Sequence, residues 1–185
     1  QVYARGKTGN LIGLIFPNWK QISPSNFPDN DFTIGIDFGY TNDPTAIVKV
    51  TKVGDNVFIK ELAYTPGIAA KEIALILRAN GVKGRELPLY CEHDPDMIAQ
   101  LTRQGFFATP ARKGVGSINA GILKLKEFNV FYTSDSENLA TEQRKYMWEI
   151  DKNTGKPVNI PVDNYNHLMD ATRYAFYSHY NKFRK

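Results

Sequence analysis

The chain has 185 residues, which is enough to bury a hydrophobic core as one domain without disulfides or structural metals. Hydrophobic residues make up 42% and charged residues 23%, which excludes wholesale disorder, and no apolar run approaches the roughly 18 residues of a membrane span, so no membrane partner is expected. The net charge of +4 permits a polyanionic partner without requiring one.

The first 30 residues are rich in glycine and proline. They predict an arm or linker that leads in from a domain absent from this chain, so that residues 31–185 form the folded domain. The sequence GKTG at 6–9 resembles a phosphate-binding loop, but that motif requires a glycine where the chain has Gln1. We therefore assign no nucleotide site to the arm.

From residue 32 the sequence predicts three strands in a meander, FTIGIDF, TAIVKVTKV and NVFIKELAY, with a hairpin turn at 54–56. A helix over 69–80 follows, and then strands and helices alternate. The alternating elements are the strand PLYCE, a helix over 94–104, the strand FFATPA, the helix SINAGILKLKEF, the strand NVFY and the helix ENLATEQRKYMW, with Ser136 as its N-cap. The chain closes with an exposed hairpin, MWEIDKNTGKPVNIPV, and a helix over 166–180.

This order predicts an α/β domain with a mixed central sheet, an antiparallel three-stranded start and flanking helices, which is the order of ribonuclease H-like folds. The one cysteine, Cys91, lies in the apolar run LPLYC and is predicted to be a buried, inert thiol. Because a single cysteine cannot form an internal disulfide, it indicates a reducing compartment.

Asp37 is the first candidate site residue. In FTIGIDF, Ile34 and Ile36 share one face of the strand, and Gly35 and Asp37 share the other. A carboxylate within a core strand is costly unless it forms an ion pair or binds a metal. Mg²⁺ and Mn²⁺ prefer oxygen ligands, and two-metal phosphodiester cleavage needs carboxylates that converge from separate elements. The pattern favours a metal ligand over a buried ion pair.

Three further acidic residues and one histidine suit such a site. Glu92 ends the strand PLYCE, at the edge where α/β folds bind ligands, with a surface carboxylate as the alternative. Asp94 precedes Pro95 and equally suits the N-cap of the next helix. Asp170 lies on the final helix, and His167 lies on the same face three residues earlier. His167 is thus within reach of the same metal, the nucleophilic water or the scissile phosphate, with a structural histidine as the alternative.

Asp43 is a secondary candidate, because it follows Asp37 by six residues, although Asp in a turn such as TNDP usually serves local hydrogen bonding. Basic residues on two predicted loops suit contacts to DNA phosphates, with an ordinary solvated loop as the alternative. These residues are Arg112 and Lys113 after FFATPA, and Lys152 and Lys156 in the hairpin DKNTGK.

The strand and turn IGIDFGYTNDPTA at 34–46 has two interpretations. It is typical of the phosphate-cradling strand of actin-like and Hsp70-like ATPases, and equally of a strand that presents the first carboxylate of a nuclease. An actin-like ATPase needs a second lobe with another glycine-rich loop and an adenosine pocket, and the remaining sequence contains neither. A nuclease needs later carboxylates, and Glu92 and Asp170 meet that need. The pattern therefore favours a nuclease.

Four stretches together resemble the C-terminal nuclease domain of large terminase subunits, the DNA-packaging motors of tailed bacteriophages. They are IGIDFGYTNDPTA, LYCEHDPDMIAQL, GFFATPARKGVGSINAGILKL and NHLMDATRYAF. The similarity covers about residues 32–177 in order, and GNLIGLIFPNW resembles the family's run-in from its ATPase domain.

The resemblance implies an endonuclease that uses Mg²⁺ or Mn²⁺, two ions in all, to cut concatemeric double-stranded viral DNA largely without sequence preference. The family's first acid falls on Asp37 and its last on Asp170. Many members read Ala-Asp-Ser-Ala-Glu-Pro where this chain, one residue shorter, reads CEHDP at 91–95. Glu92 is the better match for the middle ligand and Asp94 for the acid before proline, and both stay open as the metal ligand.

The resemblance also implies partners. These are double-stranded DNA, the protein's own ATPase domain, the small terminase subunit and the portal protein, in the host cell cytoplasm and transiently at the procapsid portal. Two other hypotheses remain: another ribonuclease H-like nuclease of the junction resolvase or transposase type, and an inactive DNA-binding module of the same fold.

Overall fold

A computed structural model describes residues 13–29 and 31–181, which form nine strands and five α-helices. The strands are β1 (Lys20–Ile22), β2 (Phe32–Asp37), β3 (Pro44–Val53), β4 (Asn56–Pro66), β5 (Pro88–Cys91), β6 (Phe107–Pro110), β7 (Asn129–Thr133), β8 (Trp148–Ile150) and β9 (Pro157–Pro161). The helices are α1 (Ala70–Ala79), α2 (Pro95–Arg103), α3 (Ser117–Lys126), α4 (Glu137–Lys145) and α5 (His167–Tyr180).

Seven strands form one mixed sheet in the order β1-β7-β4-β3-β2-β5-β6. The pairs β2–β3 and β3–β4 are antiparallel, and the other pairs are parallel. The predicted fold class is confirmed, with its antiparallel three-stranded start and its flanking helices. Strands β8 and β9 form the separate predicted hairpin.

The two faces of the sheet bury different hydrophobic clusters. Helices α1 and α2 pack on one face, where Ile34 and Ile36 of β2 are fully buried. Helices α3, α4 and α5 pack on the other face, over residues of β3, β4 and β7 such as Val48, Ile59 and Val130. Since side chains alternate along a strand, Gly35 and Asp37 of β2 face the opposite way, toward α5.

Part of the segment predicted to be an arm belongs to the sheet. Residues 20–22 form β1, which pairs parallel to β7, and Ile15 and Phe16 are buried in the core. A strand of three residues carries too little periodicity to be recognised, which is why the glycine and proline content predicted a linker. The GKTG sequence and residues 1–12 lie outside the described residues, and the connection to another domain stays a prediction.

Two local predictions around α4 were wrong in detail. The helix ends at Lys145 and not at residue 148, because Tyr146 turns into the core with extended backbone and Trp148 begins β8. Ser136 precedes the helix but its hydroxyl does not cap it. That hydroxyl contacts Thr133 and accepts a hydrogen bond from the Glu61 amide, while the Glu61 carboxylate accepts one from the Leu139 amide.

Cys91 is a buried free thiol, as predicted. Burial raises the pKa of its side chain to about 12, which keeps the thiol protonated and unreactive. Within residues 13–29 and 31–181, no helix is long and apolar enough to cross a membrane.

Candidate active site

Asp37 is the last residue of β2, which lies between β3 and β5 in the sheet. Its side chain is only 10% exposed and faces α5. Helix α5 reaches this position because residue 35 is glycine: a Cβ atom there would collide with the carbonyl oxygen of Ala171. The glycine therefore lets the helix backbone lie directly on the strand beside Asp37.

This close packing brings the first turn of α5 to the carboxylate. The His167 Nδ1 atom lies 3.0 Å from the Asp37 Oδ2 atom, across 130 residues of sequence. Asp170 follows one turn later on the same helix. His167 of this helix contacts Asp37, while Ala171 and Ala175 lie against Gly35.

Glu92 reaches the same edge of the sheet from the next strand. It follows β5 directly, and its amide donates a hydrogen bond to the Ile36 carbonyl, 2.8 Å away, which continues the parallel pairing of β5 with β2. Because the carboxyl ends of parallel strands meet at one edge, Asp37 and Glu92 are neighbours there.

The electrostatics of Asp37 indicate a cluster of carboxylates. Burial raises the pKa of Asp37 to about 6, the hydrogen bond from His167 opposes the rise, and the negative charges of Asp170 and Glu92 add to it. The pKa of Tyr174, on α5, is also raised, first by burial and then by Asp170 and Asp37. Asp37, Glu92 and Asp170 therefore share one electrostatic site.

Each of the three acids has a basic partner. His167 contacts Asp37 at 3.0 Å, the Arg173 Nη2 atom lies 3.0 Å from Asp170 Oδ1, and the Lys113 Nζ atom lies 3.6 Å from Glu92 Oε1. Arg173 is only 6% exposed, and its stem passes over Gly121 of α3, where a Cβ atom would collide with it. The three pairs offset the negative charge that the acids bring together.

The donor set fits a divalent cation in its chemistry, since it consists of carboxylate oxygens, and a bound cation would offset both the burial and the negative charges that raise the pKa of Asp37. In the part of the chain that the structure describes, no three His, Cys, Asp or Glu side chains lie close enough to hold an ion as they stand. Glu92 and Asp170 are each in an ion pair with a basic residue, Lys113 and Arg173.

Asp94 has a different environment from Glu92. Its Oδ1 atom accepts a hydrogen bond from the Met97 amide at 3.0 Å, which caps α2, and its Oδ2 atom accepts one from the Tyr40 hydroxyl at 3.0 Å. Asp43 is exposed on the loop between β2 and β3. Among the described residues, the hydrogen bond and ion pair of the Asp37 carboxylate are with His167 and not with Asp94 or Asp43.

An open cleft of about 540 Å³ adjoins the acids. It is lined by Glu92, Asp170, Arg173 and Tyr174, by the start of α3, and by Asn159, Ile160 and Pro161 of the hairpin. Lys113 lies at its edge, with its Nζ atom 4.9 Å from the centre of the Tyr174 ring. The cleft gives an extended ligand access to the carboxylates.

The four predicted basic contacts have different surroundings. Lys113 faces the cleft, and Lys152 and Lys156 are exposed at the tip of the hairpin. Arg112 instead contacts the C-terminal end of α5: its amide donates to the Ser178 hydroxyl and its Nη1 atom donates to the Asn181 carbonyl.

Sequence reasoning missed Arg173 and Glu142. Arg173 had a local signal, because it follows Asp170 by three residues and therefore shares its helix face. Glu142 had none: it lies on α4 and accepts hydrogen bonds from the amides of Leu168 and Met169, 26 and 27 residues later.

Comparison with known proteins adds a family to this geometry. The family described as terminase RNase H-like domain matches residues 37–178. The large terminase subunit of Bacillus phage SPP1 is 28% identical over 147 residues, which cover 77% of this chain. The chain spans about a third of that relative, 35% of its length.

Solved structures agree with the sequence match. The large terminase nuclease domain of bacteriophage SPP1, solved with bound Mn, superposes with a TM-score of 0.74 at 26% identity and covers 90% of this chain and 98% of its own. The P22 large terminase nuclease domain gives a TM-score of 0.66 at 23% identity and covers 91% and 93%. The nuclease of phage G20c, solved with bound magnesium, gives 0.61 at 12% identity and covers 89% and 96%. The last two show the shared fold.

Proposed function

The chain belongs to the terminase RNase H-like domain family, and we therefore propose that it is a metal-dependent endonuclease that cuts concatemeric double-stranded viral DNA during genome packaging. The observation that supports this best is the placement of Asp37, Glu92 and Asp170: Asp37 ends β2, Glu92 follows the paired strand β5, and Glu92 and Asp170 line one cleft. The related SPP1 and G20c nucleases were solved with manganese and magnesium.

In this proposal, Asp37, Glu92 and Asp170 hold two Mg²⁺ or Mn²⁺ ions, and Asp94 is the alternative to Glu92. The ions, when bound, supply Lewis-acid activation of a water and stabilisation of charge on the phosphate. Asp37 must be ionised to ligate a metal, and the hydrogen bond from His167 favours that ionised form. His167 therefore orients Asp37 and holds a proton at its Nδ1 atom.

The experiment that tests this function incubates supercoiled plasmid with the protein and Mn²⁺, with and without a chelator. We expect nicked and linear products that disappear with the chelator, because cleavage needs ions held by the carboxylates. Cleavage that persists with the chelator, or that never occurs, would reject the metal mechanism; binding without cutting would indicate a DNA-binding module. Cutting confined to branched junctions would indicate a resolvase.

The partners follow from the family and belong to the same proposal. Since the chain spans 35% of the SPP1 large terminase subunit, we propose that an ATPase domain occupies another part of the full protein and moves the DNA. The small terminase subunit would select the first cut, and the portal protein would dock the complex on the procapsid in the host cell cytoplasm. Co-purification of the full-length subunit with portal protein tests the docking. Failure of the two proteins to co-purify even at low salt would contradict it.

We expect His167→Ala to reduce cleavage at least about tenfold, a barrier increase near 1.4 kcal/mol, because Asp37 loses the hydrogen bond that orients it. The ratio of Mn²⁺ to Mg²⁺ activity should change as well. His93→Ala is the matched control, since His93 is exposed beside Glu92. If the rate and the metal preference both equal those of the wild type, His167 is structural and the site consists of carboxylates alone.

DNA should contact the cleft and the hairpin through phosphates, because packaging accepts any sequence. The logarithm of the DNA-binding constant falls linearly with the logarithm of the salt concentration, and each phosphate contact contributes about 0.9 to the steepness of that line. We expect a Lys113→Ala, Lys152→Ala, Lys156→Ala variant to give a line that is shallower by about 2.7. The control replaces Lys71, Lys83 and Arg103, which are exposed on or next to the helices of the opposite face. Equal slopes for the two triple variants would contradict the assigned DNA surface.

A further inference from the structure

Glu142 is a carboxylate buried in the core, on the buried side of α4. Its side chain is 1% exposed, among the hydrophobic residues that α4 and α5 pack together. A buried carboxylate destabilises a fold unless it is hydrogen-bonded, so its contacts indicate why the position is acidic.

Those contacts are the backbone of the first turn of α5. The Oε2 atom of Glu142 accepts hydrogen bonds from the Leu168 amide at 2.7 Å and from the Met169 amide at 3.2 Å. The residue before the helix, Asn166, makes no side-chain cap. The first amides of a helix lack partners within it and carry partial positive charge, so Glu142 supplies from another helix the cap that α5 does not have.

The turn that Glu142 caps is the turn that holds two site residues. His167 is the first residue of α5, and the Asp170 amide makes the first hydrogen bond within the helix, to the Asn166 carbonyl at 2.7 Å. A shift or rotation of this turn would move His167 away from Asp37 and Asp170 away from the shared site.

We propose that Glu142 is a positioning residue, which fixes the start of α5 so that His167 and Asp170 face Asp37; its effect on metal binding and cleavage rests on the function proposed above. A second contact connects it to the site. The Tyr64 ring meets the His167 ring edge-on, with centroids 6.4 Å apart, and burial followed by the charge of Glu142 raises the pKa of Tyr64. Tyr64, Glu142 and the first turn of α5 therefore form one packed unit behind the carboxylates.

Two substitutions test the length of the Glu142 side chain and its charge separately. Glu142→Gln keeps the length of the side chain and an acceptor oxygen but removes the charge. Glu142→Asp keeps the charge but shortens the side chain by one methylene, so its oxygens no longer reach both amides. If Glu142 acts by positioning α5, Glu142→Gln should retain Mn²⁺ binding and cleavage and Glu142→Asp should lose them. If Glu142 acts through its charge at long range, the order of the two variants should be the opposite.

The measurements are Mn²⁺ affinity by calorimetry, plasmid cleavage, and the NMR signal of the His167 imidazole in metal-free protein. We expect Glu142→Asp to lose the signature of the hydrogen bond to Asp37 and to weaken Mn²⁺ binding at least about tenfold, with Glu142→Gln within about threefold of the wild type. If Glu142→Asp does not fold, retention of the His167 signal in Glu142→Gln supports the proposal and its loss overturns it.

Two controls separate positioning from general stability. Glu72→Asp shortens the carboxylate that accepts from the Ala69 amide at the start of α1, a helix without site residues. Leu77→Ala destabilises the core on the opposite face of the sheet. Both should keep the His167 signal and the Mn²⁺ affinity. If Glu142→Asp keeps the His167 signal and the Mn²⁺ affinity as these controls do, the proposal is overturned. The NMR signal tests the positioning of His167 even if the wild type neither binds Mn²⁺ nor cuts DNA.

Discussion

Asp37→Asn should abolish DNA cleavage and leave a protein that is at least as stable to heat as the wild type. Cleavage should be lost because Asp37 would hold metal ions in the proposed mechanism, and an amide is a poor substitute for a carboxylate as a ligand of Mg²⁺ or Mn²⁺. Stability is kept because the ionised carboxylate is costly to bury: burial and the charges of Asp170 and Glu92 raise the pKa of Asp37 to about 6. The substituted asparagine side chain would retain an oxygen that accepts from His167.

The pH dependence gives this prediction a sign. The folded pKa of about 6 exceeds the ordinary value of 3.8, so the folded state binds more protons between these values and this contribution to stability falls as pH rises through them. In Asp37→Asn this carboxyl group is absent, so the variant does not lose stability in this way as the pH rises. Its melting temperature should therefore gain on the wild type from about pH 4 to pH 6 and keep the difference at neutral pH.

Calorimetric melting between about pH 4 and pH 8, with plasmid cleavage at about pH 7.5, checks both parts. Asp135→Asn is the control, because Asp135 is a half-exposed acid paired with Lys60 at 3.6 Å, away from the cleft. Full activity in a folded Asp37→Asn protein would remove Asp37 from the site. A melting temperature well below that of the wild type at neutral pH would instead show that the carboxylate stabilises the fold.

Glu92→Gln and Asp94→Ala should have opposite signatures. Glu92 faces the cleft, and its partly exposed ion pair with Lys113 contributes little stability, so we expect cleavage to fall more than about a hundredfold with the melting temperature unchanged. Asp94 caps α2, so its loss should cost about 1 kcal/mol, or roughly 2–4 °C of melting temperature, with little loss of cleavage.

Asp94→Asn is the matched control for the cap, because asparagine caps helices as well as aspartate does. It should restore the melting temperature, and its cleavage should equal that of the wild type. Strong loss of cleavage in Asp94→Asn together with an active Glu92→Gln would assign the middle ligand to Asp94 and exclude Glu92.

Much of the fold could be predicted from the sequence, because helix and strand periodicity are local properties. The alternation in FTIGIDF placed Asp37 opposite Ile34 and Ile36, and the structure shows that face meeting α5. The spacing of His167 and Asp170 put both on one helix face in the same way. The four ordered stretches also identified the family, which the match over residues 37–178 confirms.

Only the tertiary structure decided which residues meet. Asp37 and His167 are 130 residues apart, and their contact depends on strand register and on the glycine that admits α5. The same holds for the pairing of Glu92 with Lys113 and for the cap that Glu142 gives α5. A sequence pattern shows which way a side chain points along its own element, but the partner across the interface follows from how separate elements pack, and that packing is set by long-range contacts that no local spacing encodes.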